Sequence, residues 1–275
     1  MLTADQYVDL RVQRLKQEDL QRKPNKWIAS LPQFKTAVRV LDIACGMGYD
    51  SLAWARVGKK PVGIDWNSGL LKNASCLAAQ EGLEADFLVA DATQLPFPDG
   101  SFDICFSENL FEHVPEWERI VSEASRVLKD DGVFFVRTSN RHCPINHEIN
   151  HMHFYPWLPA SLQRPILGWV QRNRPAWINY SSFPAVNWFT HRGLAKTLRA
   201  YGFSTYETFD LVRKELLSEK RRRVYFVFDL IRKFRLLRYL IYPLLSSVEI
   251  VGVKTGRLRA TPPLERSSRK VPSPL

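Results

Sequence analysis

Three aspartates lie at the ends of short apolar runs: Asp42 in residues 38–44 (VRVLDIA), Asp65 closing 61–65, and Asp91 just after 86–90. Ser107 closes a fourth run, 104–107. An ionised carboxylate only accepts hydrogen bonds, so Asp65 is suited to hold both hydroxyls of a ribose, and Asp91 to accept from an adenine amino group. Between Asp42 and Asp65 the chain reads Asp42-Ile43-Ala44-Cys45-Gly46-Met47-Gly48 and then turns helical. Small residues at 44, 46 and 48 let backbone approach a ligand closely. The helix start that follows offers unpaired N–H groups. A dinucleotide turn needs G-x-G-x-x-G, but the third position here is Ser51. Asp42 would repel a pyrophosphate and attract a cationic amino group, which points to an amino-acid-bearing nucleoside. Each residue alone is as readily a cap or turn residue, and the turn could be a buried turn with no ligand. It is their joint placement at strand ends that suggests a site.

The elements that must position them alternate. Strands are predicted over 38–44, 61–65, 86–90, 104–107 and 133–138. Helices are predicted over 49–57, 68–81 and 117–128, with Gly58 and Gly82 as stops and Asp131-Gly132 as a turn before the fifth strand. Such alternation means a parallel sheet with helices on both faces. Right-handed crossovers bring the strand C-termini to one edge, where ligands bind. Beyond it, 141–190 is rich in Pro, His, Trp and Asn. A helix over 191–200, a strand over 202–211, a basic, mainly helical stretch over 213–245 and a last strand over 248–254 follow. Residues 3–22 suit short helices, and the Pro/Ser/Arg-rich residues 256–275 read as a disordered tail.

The motifs VLDIACGMGYDSLAWA, VGIDW, DATQLPFPDGSFDIC and ASRVLKDDGVFF resemble those of the class I S-adenosylmethionine (SAM)-dependent methyltransferases, type 11 group, over about residues 36–140. The resemblance implies an α/β fold: a doubly wound, mostly parallel seven-stranded sheet, Rossmann-like, with an inserted helical and loop cap. It implies SAM as cofactor. Asp42, Ala44, Gly46 and Gly48 would surround its methionine end, with Cys45 in the same turn and Ser107 beside it. Asp65 would bind the ribose with Trp66 packing on the adenine, and Asp91 and Ala92 would bracket the adenine edge. Ala44 departs from the glycine of many members, yet alanine is small. The domain reading is 1–35 as an N-terminal helical segment, 36–255 as the methyltransferase domain with 141–190 as cap and 213–245 as a basic amphipathic insertion, and 256–275 as tail.

Methyl transfer is an in-line displacement, helped by orientation and, for a hydroxyl acceptor, by a base. Residues 107–113 and 138–141 follow strands four and five and should face the methyl group. His113 is a candidate base, or a histidine that only packs. His147, His151 and His153 with Glu148 could line an acceptor pocket, bind metal, or make loop hydrogen bonds. The spacing misses H-E-x-x-H by one residue, and no metal ligand is assigned. His147 and His151 join His113 as catalytic candidates. Trp157, Trp169, Trp177 and Trp188 suggest a cap over an apolar acceptor, though scaffold aromatics would look the same.

The chain has 275 residues, 45% hydrophobic and 24% charged, with net charge +11. That is an ordinary globular composition whose charge favours anionic partners. Residues 213–238 hold ten Lys/Arg against three acidic residues. They could form an amphipathic helix with a solvated basic face or lie on an anionic membrane surface; nucleic acid is the least favoured partner. Four cysteines without a C-x-x-C pair read as reduced thiols. The N-terminus lacks a signal-peptide core, and no apolar run reaches membrane-spanning length. A cytoplasmic protein is expected, with any membrane contact peripheral, at the inner face. The function expected is methyl transfer from SAM to a small-molecule or lipid-linked acceptor. The alternatives are a nicotinamide-dependent oxidoreductase, disfavoured by Asp42 and the missing glycine, and a non-catalytic SAM-binding module.

Overall fold

The computed structural model describes residues 23–145, 149–178, 185–211 and 225–255. The helices expected in 3–22, His147, the start of the basic stretch (212–224) and the tail 256–275 lie outside the described residues.

Two short helices, α1 (Lys26–Ala29) and α2 (Gln33–Thr36), lead into β1 (Arg39–Ile43). The chain continues through α3 (Tyr49–Ala55), β2 (Lys60–Asp65), α4 (Ser68–Gln80), β3 (Asp86–Val89), β4 (Phe102–Glu108), α5 (Trp117–Val127) and β5 (Leu128–Ser139). The cap contains α6 (Ala160–Asn173). Then come α7 (His191–Ala200), β6 (Phe203–Glu207), α8 (Thr208–Leu211), α9 (Tyr225–Lys233), α10 (Arg235–Ile241) and β7 (Ser247–Lys254). The seven strands form one sheet in the order β3-β2-β1-β4-β5-β7-β6. Strands β1 to β5 pair in parallel, and β7 runs antiparallel to both β5 and β6. From β1 the chain winds out to β3, then returns to β4 on the other side of β1. The switch between β1 and β4 opens the crevice where such sheets bind ligands.

Hydrophobic burial fixes this arrangement. In α5, Ile120, Val121, Ala124 and Val127 recur at helical spacing and are fully buried against a core that includes Phe134 and Val136 of β5. On the other face Trp54 packs with Ile104, Phe106 and Phe135. Each such aliphatic or aromatic side chain contributes about 1.5–3 kcal/mol as an upper estimate.

Three sequence expectations are corrected. Asp131-Gly132 lies inside β5, not in a turn before it. The β4–β5 register slips between Phe102↔Leu128 and Ile104↔Val133, so extra residues bulge and Asp131 takes a positive φ of 60°. The strand expected over 202–211 ends at Glu207, and α8 follows. The basic residue Arg238 is not on the surface. It is 2% exposed, and its guanidinium meets Glu207 Oε2 at 3.0 Å and Asp210 Oδ1 at 2.6 Å. Tyr242 donates to the same Glu207 at 2.7 Å. These carboxylates offset the desolvation cost of a buried cation and tie α10 to β6 and α8.

Candidate cofactor site and acceptor cavity

β1, β2 and β4 deliver Asp42, Asp65 and Ser107 to one sheet edge. Register pairs Ile43 with Ser107 and with Ile64. The turn after β1 holds three residues at positive φ: Ala44 at 63°, Gly46 at 54° and Gly48 at 75°. Alanine at 44 is thus small enough but strained, by about 1–2 kcal/mol for a left-handed L-residue. A Cβ on Gly48 would stand 2.8 Å from the Phe87 ring and 2.9 Å from Ala74 Cβ. One on Gly46 would meet open space, so the turn leaves room beside its backbone.

Asp65 clamps this turn. Gly46 N–H donates to Oδ2 at 3.0 Å and Asn67 N–H to Oδ1 at 2.9 Å. These bonds orient Asp65 at the strand end. Asp42 is 3% exposed and accepts from Ser51 Oγ at 2.7 Å, which links β1 to the first turn of α3. Burial first, then the neighbouring Asp50, Glu108 and Asp65, push its carboxyl up to about 8 against the bond from Ser51. Cys45 contributes backbone to the turn. Its Sγ lies 2.8 Å from where a Cβ on Gly63 would be, and burial with the nearby Asp42 and Asp65 pushes the thiol up.

Ser107 is fully buried, and among the described residues its Oγ has no hydrogen-bond partner. Buried polar atoms without partners are rare and call for an explanation, and a ligand at the strand edge supplies one. Trp66, 53% exposed, follows Asp65 directly and offers an aromatic face. Asp91 is exposed, and its Oδ1 accepts from the N–H and Oγ1 of Thr93, both at 2.8 Å. Ala92 is half-buried beside it.

A raised carboxyl beside a cation site has a testable consequence. Unfolded, Asp42 ionises near its ordinary value of 3.8. Its folded form keeps the proton, so the stability it contributes is full below about pH 4 and fades by about pH 8. A bound cation reverses the preference. SAM binding at about pH 7 is therefore expected to release a proton, measured by calorimetry in buffers of different ionisation enthalpy. Asp42→Asn should abolish the release; a wild-type protein that releases none contradicts the assignment.

One strand over, a cavity of about 160 Å³ opens at the ends of β4 and β5. It is lined by Asn109, by Arg137 to Asn140, by Ile145, Pro156 and Trp188 of the cap, and by Ser246 and Ser247. Trp188 Nε1 is buried with no partner among the described residues. The histidines lie elsewhere. His113 is half-buried in the turn after β4, and its N–H donates to Leu110 O. His151 is exposed on the cap at φ 65°, its ring 5.4 Å from that of Trp177, and His153 is exposed nearby. None of these three lines the cavity.

Glu112, in the run expected to face the methyl group, stands beside His113 and is fully buried. It accepts from Thr138 Oγ1 at 2.7 Å and Ser139 Oγ at 3.3 Å. Its carbonyl accepts from Val186 and Asn187 N–H at 2.7 and 3.0 Å. It thus fixes the cap to the end of β5 at the back of the cavity.

Asp42, Asp65 and the exposed Trp66 thus lie together at the C-terminal edge of the sheet, near the β1–β4 switch point. The methyltransferase-domain family Methyltransf_11 matches residues 41–136. Residues 41–136 are thus a methyltransferase domain of the type 11 group, a class of domain whose methyl donor is SAM. The chain is 32% identical over 120 residues to a malonyl-[acyl-carrier protein] O-methyltransferase of Yersinia pestis, covering 44% of this chain and 43% of that protein. It is 34% identical over 104 residues to a ubiquinone biosynthesis O-methyltransferase of Brucella anthropi, covering 38% and 42%. The chain thus spans less than half the length of these curated relatives. A chain from the complex of the Haloferax volcanii Trm112 methyltransferase activator with a methyltransferase shares the fold. Its TM-score is 0.53 at 19% identity, covering 91% of this chain and 96% of that one.

Proposed function

We propose that the protein transfers a methyl group from SAM to an oxygen acceptor, a small molecule or a lipid-linked group, held in the cavity at the ends of β4 and β5. The observation that carries this reading is the cavity's place, one strand from the acid-lined turn. Neighbouring strands lie about 4.8 Å apart, which sets acceptor and cofactor within reach of each other. The residues present fit the cofactor: Gly46 leaves open space beside the turn, Ser107 offers a buried hydroxyl with no partner among the described residues, and the acids suit a cation. When bound, SAM supplies a methyl carbon made electrophilic by its sulfonium.

The chain's own residues then do the orienting. Asp65 accepts from the ribose hydroxyls, Trp66 packs on the base, and Asp42 balances the positive charge. Asn109, Trp188 and the hydroxyls of Ser246 and Ser247 offer hydrogen bonds to the acceptor, while Thr138 and Ser139 donate theirs to Glu112. Among the described residues, none of the ten that line the cavity is a carboxylate, histidine, cysteine or lysine. Such a cavity orients an acceptor but does not take its proton. It suits an acceptor that carries its own charge, such as a carboxylate or phenolate, with positioning as the main source of rate. Both relatives named above are O-methyltransferases by name, which supports an oxygen acceptor.

The test is release of S-adenosylhomocysteine by the full chain with SAM and a panel of carboxylic acids, phenols and primary amines. Turnover with acids or phenols, rising with their ionised fraction, supports the reading. Turnover with amines alone refutes the oxygen acceptor. Bound SAM with no turnover on any panel member favours a non-catalytic module. With an active acceptor, Trp188→Phe should raise its KM about tenfold by removing one buried donor, with SAM affinity unchanged. An unaltered KM would show that the indole N–H does not reach the acceptor.

A further inference from the structure

The helices α9 and α10 bury one stripe and expose another. Ile231 and Tyr242 join Phe209 in a small core, and buried Arg238 pins α10 to Glu207 and Asp210. On the outer side Phe226, Leu230 and Phe234 follow one another at intervals of four, as do Leu236, Leu240 and Leu244. The first line runs along α9 to Phe234 between the helices, and the second along α10 to Leu244 in the 3-10 turn that follows. Leu236, Leu240 and Leu244 are 79, 73 and 79% exposed. Scattered exposed leucines are ordinary, but contiguous apolar stripes mark an interaction surface.

Charge and position say what covers it. With Arg238 buried on Glu207 and Asp210, residues 225–244 keep Arg232, Lys233 and Arg235 against the single acid Asp229, which pairs with the first two, and Lys220, Arg221, Arg222 and Arg223 directly precede them in sequence. Apolar side chains beside excess positive charge are complementary to an anionic lipid surface. The stripe also ends at the cavity. Asn140 Nδ2 donates to the carbonyls of Tyr242 and Leu245, both at 2.7 Å, and Ser246 and Ser247 line the cavity wall. Ile145, 56% exposed, lines the same cavity from the cap. Among the described residues no helix is long and apolar enough to cross a membrane, so contact through this stripe lies on the surface.

We propose that α9 and α10 form a docking surface for an anionic lipid bilayer, with Phe226, Phe234, Leu236, Leu240 and Leu244 entering the acyl boundary and basic residues at the headgroups. This sets the cavity beside the membrane, where a lipid-linked acceptor would be held. That last step rests on the methyl-transfer reading; the docking itself does not.

The test is flotation of the full chain with phosphatidylcholine vesicles, with or without about one-third phosphatidylglycerol. Binding to the anionic vesicles is expected, at least about tenfold weaker on neutral vesicles or in high salt. The combined substitution Phe226→Ser, Leu236→Ser, Leu240→Ser and Leu244→Ser should weaken binding at least about tenfold. All four side chains are exposed, and an unchanged thermal shift with SAM would confirm that the variant folds. Absence of vesicle binding by the wild-type chain, or equal binding by the variant, would overturn the proposal. A wild-type dimer that ignores vesicles, and that the same substitutions make monomeric, would assign the surface to a second copy instead. Loss of the SAM shift in both proteins would count against the methyltransferase reading and leave the flotation result standing.

Discussion

Asp65→Ala is expected to lower SAM affinity by at least ~100-fold. Hydrogen bonds to a charged group contribute about 1.5–3 kcal/mol each, and the substitution removes the acceptor for two ribose hydroxyls. It also frees Gly46 N–H and Asn67 N–H, whose bonds to Asp65 hold the glycine turn and the start of α4 in place. Titration calorimetry of the variant reads the loss. Asp65→Asn separates the two roles: one amide oxygen can still hold the turn, but the charge is gone. Its affinity should fall between the two. Wild-type affinity in Asp65→Ala would remove the ribose assignment and with it the placement of the cofactor.

Gly48→Val should be the most damaging substitution to the scaffold of the site. The residue sits at φ +75°, and its Cβ would lie 2.8 Å from Phe87 and 2.9 Å from Ala74. Backbone strain and overpacking together cost about 3–5 kcal/mol, a large share of a typical domain's stability. Denaturant unfolding followed by aromatic fluorescence measures this. Gly46→Ala is the control, because a Cβ there meets nothing within 4 Å. It should cost only the backbone strain, about 1–2 kcal/mol, while crowding the space beside the turn. A Gly48→Val chain as stable as wild type would mean that the turn is not packed as described.

How much of this was legible in the sequence depended on whether the cause was local. The parallel strands were legible because buried strands read as short apolar runs, and the acids at their ends stood out against those runs. Asp42, Asp65 and Ser107 therefore lie near the C-terminal ends of β1, β2 and β4 as read, and β7 was located though not its antiparallel pairing. Where the cause was tertiary, the sequence was mute or misleading. Asp131-Gly132 has the composition of a turn, yet pairing with β4 absorbs it as a bulge in β5. Arg238 looked like one more surface charge in a basic stretch, but two carboxylates some 30 residues away bury it. Glu112 stood in the run expected to face the methyl group, but its part in holding the cap was not legible. Its partners, Thr138, Ser139 and the backbone of Val186 and Asn187, come from other parts of the chain. The cluster around residues 147–153 drew attention through residue type alone. Of its described members, His151 and His153 sit on the outside of the cap.

The most direct test of the central claim is a crystal structure of the full chain soaked with S-adenosylhomocysteine. The adenosine should lie at the C-terminal ends of β1 to β3, with its ribose on Asp65 and its base against Trp66 and near Asp91. The amino-acid portion should point toward Asp42 and Ser107, with the sulfur facing the cavity bounded by Asn109 and Trp188. Density for the ligand anywhere else, or a crevice that takes up a nicotinamide dinucleotide and leaves S-adenosylhomocysteine in solution, would contradict it.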